Sequence, residues 1–284
     1  MTDRIIFACD YEDTYNLEVG KHPKESEVQA VRKFRAEGNL FGLVCERDVF
    51  EALANMGEYE EEYDFIVCST GAALVVRLPV TPGGYGAPTR ICTDTANPYF
   101  LCELHDLFLS VGASLMAIDV FGFKGGDAEG ARLNREYSPT IGMGCYSHYW
   151  GGGGVYHVYG TKRESLIQVT PFSQCRATFK NHITAEGVAK EVNRRYDGSL
   201  RAYASGNFVT VIPAEADKSK GVARFAEFVG ASRENVWTFG NGSEDAAMLR
   251  EFNGIAMKGG HPSALAAAKH TASSVAEAIE IILK

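Results

Sequence analysis

RIIFACDYEDTYN, residues 4–16, is an apolar run of strand type that ends abruptly in Asp10, Glu12 and Asp13. A strand apolar on both faces belongs inside a parallel sheet covered on each side. Ligands of such sheets bind outside the carboxyl ends of the strands. Three acids delivered together at one such end therefore mark a candidate site.

Working outward, the chain repeats the strand-then-helix pattern. PKESEVQAVRKFRAEG (23–38) places Val28, Val31 and Phe34 at helical spacing, with Gly38 where a helix C-cap stands. LFGLVC (40–45) is a second apolar run, a helix is predicted from Asp48 to about Met56, and FIVC (65–68) is a third strand. Toward the C-terminus, GVARFAEFVG reads as a helix, VWTF (236–239) as a strand, EDAAMLREF as a helix and GIAM (254–257) as a strand, and SSVAEAIEIILK closes the chain as a helix. This alternation predicts an α/β protein with a doubly wound parallel sheet.

Between these halves, from about Pro79 to Val211, the texture changes to short pieces rich in Gly, Tyr and Phe, such as TPGGYGAP, GFKGGDAEG and YWGGGGVYHVYG. The economical reading is an inserted second domain, with residues 1–78 and 212–284 as the core and 79–211 as the insert. Gly151–Gly154 lacks the Gly-Lys-Ser/Thr ending of a phosphate-cradling loop and reads as a mobile loop. The neighbouring His148, Tyr149 and Trp150 read as packing and surface groups. His105 and His157 have no partner at metal-ligand spacing.

Composition narrows the function. A chain of 284 residues with 45% hydrophobic content can bury a sizeable core. A formal net charge of -8 argues against a nucleic-acid or anionic-membrane surface, and there is no run of eighteen apolar residues, so the cytoplasm is the expected compartment. The seven cysteines are odd in number and form no C-x-x-C pair, which predicts reduced thiols rather than a disulfide framework or zinc site. No feature specifies an oligomeric state.

Collecting the residues after each predicted strand gives Asp10, Glu12, Asp13 and Thr14, then Cys45, Glu46 and Arg47, then Asn241, Ser243, Glu244 and Asp245 in GNGSED. Hard oxygen ligands suit Mg²⁺, backbone N–H groups and Lys hold phosphate oxygens, and a carboxylate can attack phosphorus.

These segments resemble the haloacid dehalogenase-like superfamily, and its Cof-type phosphatase branch in particular. DKSKGVARFAEFVGASRENVWTFGNGSEDAAMLREFNGIAMKGGHPSALAAA is similar along its length to that branch's C-terminal signature, and FIVCSTGAAL to the segment leading into its cap. The resemblance implies a Rossmann-like core interrupted by an α/β cap, and a Mg²⁺-dependent phosphomonoesterase acting on a small phosphorylated metabolite. It implies Asp10 as nucleophile, Glu12 as acid/base and Lys220 as the lysine that neutralises nucleophile and phosphate, with Lys218 as the alternative occupant. Cys45, Glu46, Lys220 and Glu244 fall at the phosphate-binding positions, and Asp10, Glu12, Asn241 and Asp245 at the metal positions.

The departures from the family pattern are specific. D-x-D-G-T has become DYEDT, so Glu12 is one methylene longer and Asp13 replaces a Gly. G-D-G-x-N-D has become GNGSED, so Asn241 replaces a metal-ligating carboxylate and Glu244 an Asn. Cys45 offers only a weak S–H donor where the family has a hydroxyl. Two readings follow: a phosphatase in which Glu244 or Asp13 restores the lost charge, or a catalytically impaired scaffold that binds a phosphorylated ligand or another protein.

Overall fold

The computed structural model describes residues 4–16, 22–56, 63–77, 79–81, 84–85, 89–92, 94–120, 144–151, 154–159, 166 and 171–284; at 50, 54–56, 79–81, 84–85, 89–92, 144–151 and 154–159 it describes backbone alone. In chain order come β1 (Ile6–Asp10), α1 (Glu25–Ala36), β2 (Leu40–Val44), α2 (Val49–Met56), β3 (Phe65–Cys68) and β4 (Ala73–Val76). Then follow β5 (Pro79–Thr81), β6 (Gly84–Tyr85), β7 (Thr89–Cys92), α3 (Tyr99–Ser110), β8 (Leu115–Val120), β9 (Gly144–Gly151) and β10 (Gly154–Tyr159). After these are β11 (Phe172–Thr178), α4 (His182–Arg195), β12 (Leu200–Ser205), β13 (Phe208–Pro213) and α5 (Lys218–Phe228). The chain ends with β14 (Val236–Gly240), α6 (Ala246–Glu251), β15 (Asn253–Met257), α7 (Pro262–Ala267), β16 (His270–Ala272) and α8 (Val275–Ile282).

The chain divides into two compact units, one of residues 1–47, 51–93 and 217–284 and the other of 48–50 and 94–216. The first holds an eight-stranded sheet in the order β16-β15-β14-β1-β2-β3-β4-β7. From β16 to β3 all neighbours are parallel, and β4 and β7 add an antiparallel edge. All five residues of β1 are buried, as its unbroken apolar run requires. Strand periodicity of two then sorts its side chains. Ile6 and Ala8 pack in one cluster with Val222 and Phe225 of α5, whereas Phe7 meets Phe34 of α1 and Phe41 of β2 on the opposite face. Asp10 continues the Ile6–Ala8 face, which is the face of α5.

Gly42 in β2 makes this packing possible, because a Cβ there would lie 2.2 Å from the Phe65 ring, itself stacked on Phe225 at 3.7 Å between centroids. On the opposite face the Glu27 carboxylate of α1 accepts a hydrogen bond from Ala276 N in the first turn of α8 at 2.8 Å, so α1 also satisfies an orphan donor of the closing helix.

The second unit is a six-stranded sheet in the order β10-β9-β8-β11-β13-β12, antiparallel except for the β8–β9 pair. Its core joins Met116, Ile118 and Val120 of β8 and Cys175 and Ala177 of β11 to apolar residues of α3 and α4. Asn181 caps α4 by accepting from Thr184 N at 2.9 Å. Gly151 and Gly154, expected in a loop, face each other as the last pair of the β9–β10 hairpin.

The unit boundaries fall later than the change of sequence texture, at 93/94 and 216/217 rather than 78/79 and 211/212. At the first boundary the reason is β7, which pairs with β4 from Ala73↔Cys92 to Val76↔Thr89, so the first sheet extends past the Gly-rich segment; at the second it is β13, which pairs with β11 and, through Pro213, with β12 in the second sheet.

Candidate active site

The carboxyl end of β1 turns sharply. Tyr15 N donates to Asp10 O at 3.2 Å, Asn16 N to Tyr11 O at 2.8 Å and Asp13 N to Asn16 O at 2.9 Å. Asp13 adopts φ +55, the left-handed conformation usual for Gly but open to Asp, so the turn survives the replacement of glycine at this position. The turn leaves the Asp10 carboxyl buried, with Thr14 Oγ1 donating to its Oδ2 at 3.0 Å.

Lys218 opens α5, whose N-cap Asp217 accepts from Ser219 N at 2.7 Å. The Lys218 ammonium lies 2.8 Å from Asp10 Oδ1 and 2.7 Å from Asp245 Oδ1, and all three side chains are almost fully buried. The second oxygen of Asp245 accepts from Asn241 N at 3.0 Å and Gly242 N at 2.8 Å, which fixes the β14–α6 turn around the carboxylate. Gly240 must lack a side chain, since a Cβ there would come within 2.6 Å of the Asp245 carboxyl.

Two acids and one base leave one negative charge uncompensated where water does not reach. Burial pushes the Asp10 carboxyl up to about 8; Lys218 opposes this and Asp245 reinforces it. Burial alone would lower Lys218, but Asp10 and Asp245 outweigh it and hold the ammonium well above its ordinary range. The lysine thus stays charged, and the acids compete for what it neutralises.

Around this centre, Arg47 Nε donates to Glu12 Oε1. Asn241 Nδ2 reaches Asp13 O at 3.3 Å, tying together the two acidic turns. Glu46 is half-buried; burial raises its carboxyl, Lys218 opposes, and Glu244 and Glu12 add to the rise. Glu244 is exposed, accepts from Ser243 Oγ at 3.2 Å, and lies across Gly242. Cys45 is buried; its thiol is raised by the hydrogen bond to Cys68 and by burial, so it is neutral.

Lys218 joins Asp10 to Asp245, Asn241 N donates to Asp245, and Glu12 is held against Arg47. The structure does not place Lys220 with them. Lys220 is exposed and Lys218 occupies the position against Asp10, because two residues of helix turn a side chain through about 200°. The signal was legible: Lys218, Val222 and Phe225 recur at helical spacing on the buried face of α5, and Lys220 falls outside it.

Among the described residues, no three His, Cys, Asp or Glu side chains converge as a metal site. The residues that could offer oxygen to a cation are Asp10 and Asp245, through their carboxylates, and Asn241, whose backbone N is bonded to Asp245. Such donors suit a hard cation such as Mg²⁺, held by one charge fewer than three carboxylates would give.

Residues 157–279 match the sequence family of haloacid dehalogenase-like hydrolases, a span that contains Lys218 and the Gly240–Asp245 turn. A haloacid dehalogenase-like hydrolase from Bacteroides thetaiotaomicron superposes with TM-score 0.69 at 17% identity, covering 98% of this chain and 99% of that one. The fold is that of the haloacid dehalogenase-like hydrolases. A Thermotoga maritima protein with this fold superposes with TM-score 0.69 at 13% identity, covering 98% of this chain and 97% of its own. A subclass IIB sugar phosphatase of the haloacid dehalogenase superfamily gives 0.64 at 15% identity, covering 98% of each chain. No curated protein matches the chain by sequence. Within the haloacid dehalogenase-like fold, Asp10, Lys218 and Asp245 stand at the carboxyl ends of β1 and β14 and at the start of α5, where the topology concentrates its chemistry.

Proposed function

We propose that this chain is a phosphomonoesterase that hydrolyses a small phosphorylated metabolite of the sugar-phosphate class through an aspartyl-phosphate at Asp10. The observation that carries this reading is the buried bridge from Lys218 to both Asp10 and Asp245. A carboxylate attacking phosphorus must approach an anion, and a lysine held against it offsets the repulsion where screening by water is weak. The similarity of the fold to a sugar phosphatase supports the substrate class.

In the first step a carboxylate oxygen of Asp10 forms a bond to phosphorus while the bond to the ester oxygen breaks. Glu12, oriented by Arg47, gives its proton to the departing alkoxide. In the second step Glu12 takes a proton from water, whose oxygen attacks phosphorus, releasing inorganic phosphate and regenerating Asp10. Asp10, Asp245 and Asn241 are the groups that would hold Mg²⁺, which would supply positive charge to the phosphoryl oxygens. We assign substrate selection to the inserted domain, expected over 79–211.

The alternative, a phospho-ligand-binding module without turnover, is less well supported. Binding alone does not require a buried acid matched to a buried lysine, an arrangement that costs desolvation at both ends. Beryllium fluoride added with Mg²⁺ should form an adduct on Asp10 visible by fluorine NMR and absent in Asp10→Asn. No adduct on the wild-type protein would contradict the proposed intermediate.

A further inference from the structure

The turn that ends β3 carries strain and two idle hydroxyls. Ser69 and Thr70 adopt φ +50 and +54, and Gly71 follows at +99. Ser69 is fully buried and Thr70 is 6% exposed, yet neither Ser69 Oγ nor Thr70 Oγ1 has a hydrogen-bond partner. A buried hydroxyl without a partner costs free energy, as does a left-handed non-glycine backbone. If the turn needed only its backbone shape, Gly at 69 and 70 would meet the demand without either cost.

The position of the turn gives these costs a use. Ser69 N donates to Arg47 O at 2.7 Å and Thr70 N to Cys45 O at 3.2 Å, so the turn is built onto the loop that follows β2. On its other side Gly71 packs against the start of α5, where a Cβ would lie 1.9 Å from Asp217 O, the residue before Lys218. The turn therefore lies between the Cys45–Arg47 loop and the helix that carries the site's lysine. Cys45, at the head of that loop, presents a neutral thiol, a weak donor to an anion.

We propose that the Ser69 and Thr70 hydroxyls donate to an oxygen of the bound phosphoryl group, replacing the hydroxyl that Cys45 does not supply. The inference rests on the phosphatase reading and deepens it. The anion supplies an acceptor for two hydroxyls that find none within the protein, and a hydrogen bond to a charged oxygen is stronger than one between neutral groups.

The experiment is titration of the full-length protein with inorganic phosphate in Mg²⁺ by calorimetry, with thermal unfolding measured alongside. Ser69→Ala with Thr70→Val removes both hydroxyls and nearly keeps the volume. Phosphate affinity should fall about tenfold or more while the unfolding midpoint holds or rises, because the unbonded hydroxyls are gone. Adding Cys45→Ser should recover the affinity. Should the double variant not fold, Thr70→Val alone should weaken phosphate binding where Thr70→Ser does not. An affinity within twofold of wild type in these variants overturns the inference and assigns the turn a structural role, with water as the hydroxyls' partner. Wild-type protein that binds no phosphate at all would remove the phosphatase reading itself, a separate and distinguishable failure.

Discussion

Lys218 Nζ stands 2.8 Å from Asp10 Oδ1, joining residues 208 positions apart in the sequence, and the same ammonium reaches Asp245 at 2.7 Å. Removing the lysine leaves two buried carboxylates facing each other. Lys218→Met should therefore cost about 3–5 kcal/mol of stability, the range for breaking a buried pair, and should abolish measurable turnover. Lys220→Met should keep both within about twofold in rate and about 0.5 kcal/mol in stability, as expected of an exposed site. Urea unfolding and phosphate-release assays on the two variants check the assignment; a larger loss at Lys220 would reverse it.

The charge imbalance at the same centre has a pH signature. The folded Asp10 carboxyl is raised, to about 8, above its ordinary range near 4, mainly by burial. A group raised on folding contributes stability that is full below its unfolded pKa and lost as pH climbs through its folded value. In chelator, the unfolding midpoint should therefore decline between about pH 4 and 8. Asp10→Asn should flatten that decline, and Mg²⁺ should oppose it in the wild-type protein by compensating the extra negative charge. A midpoint that rises across this range in chelator would count against a carboxyl strained by burial.

Asn241 sets the strength of the cation site. Exchanging its amide for a carboxylate adds a charge beside a dication, so Asn241→Asp should tighten Mg²⁺ binding about tenfold or more by calorimetry. Unchanged affinity would remove Asn241 from the ligand set.

The β3 turn offers a structural check. Gly71→Ala would place a Cβ 1.9 Å from the Asp217 carbonyl at a φ of +99, so the start of α5 must shift. It should destabilise the protein by at least about 1–3 kcal/mol and weaken the Lys218 contact. A variant with wild-type stability and turnover would show that the contact between the turn and α5 is dispensable.

Much of this was legible in the sequence because strong local signals and the global fold agree. The unbroken apolar run from Ile5 to Cys9 named a buried strand, and period two carried Asp10 to the α5 face. The alternation at both ends of the chain gave the parallel sheet, since each strand needed a helix to cover it. Of the two lysines in DKSKG, helical phase, set by the Asp217 cap and shared with Val222 and Phe225, puts Lys218 on the buried face of α5 and leaves Lys220 outside it. β4 and β7 carry little signal because they are short and β7 sits beyond a Gly- and Pro-rich stretch whose turn chemistry masks its pairing. The hydroxyls of Ser69 and Thr70 carry no sequence signal at all; only burial without a partner reveals them.

The central claim is turnover at Asp10, and phosphate release from a broad panel of phosphomonoesters in Mg²⁺, wild type against Asp10→Asn, tests it most directly. Hydrolysis of at least one sugar phosphate or related metabolite by the wild-type protein, lost completely in a folded Asp10→Asn variant, is the predicted result. No hydrolysis of any ester by wild type, or equal hydrolysis by the variant, would contradict it.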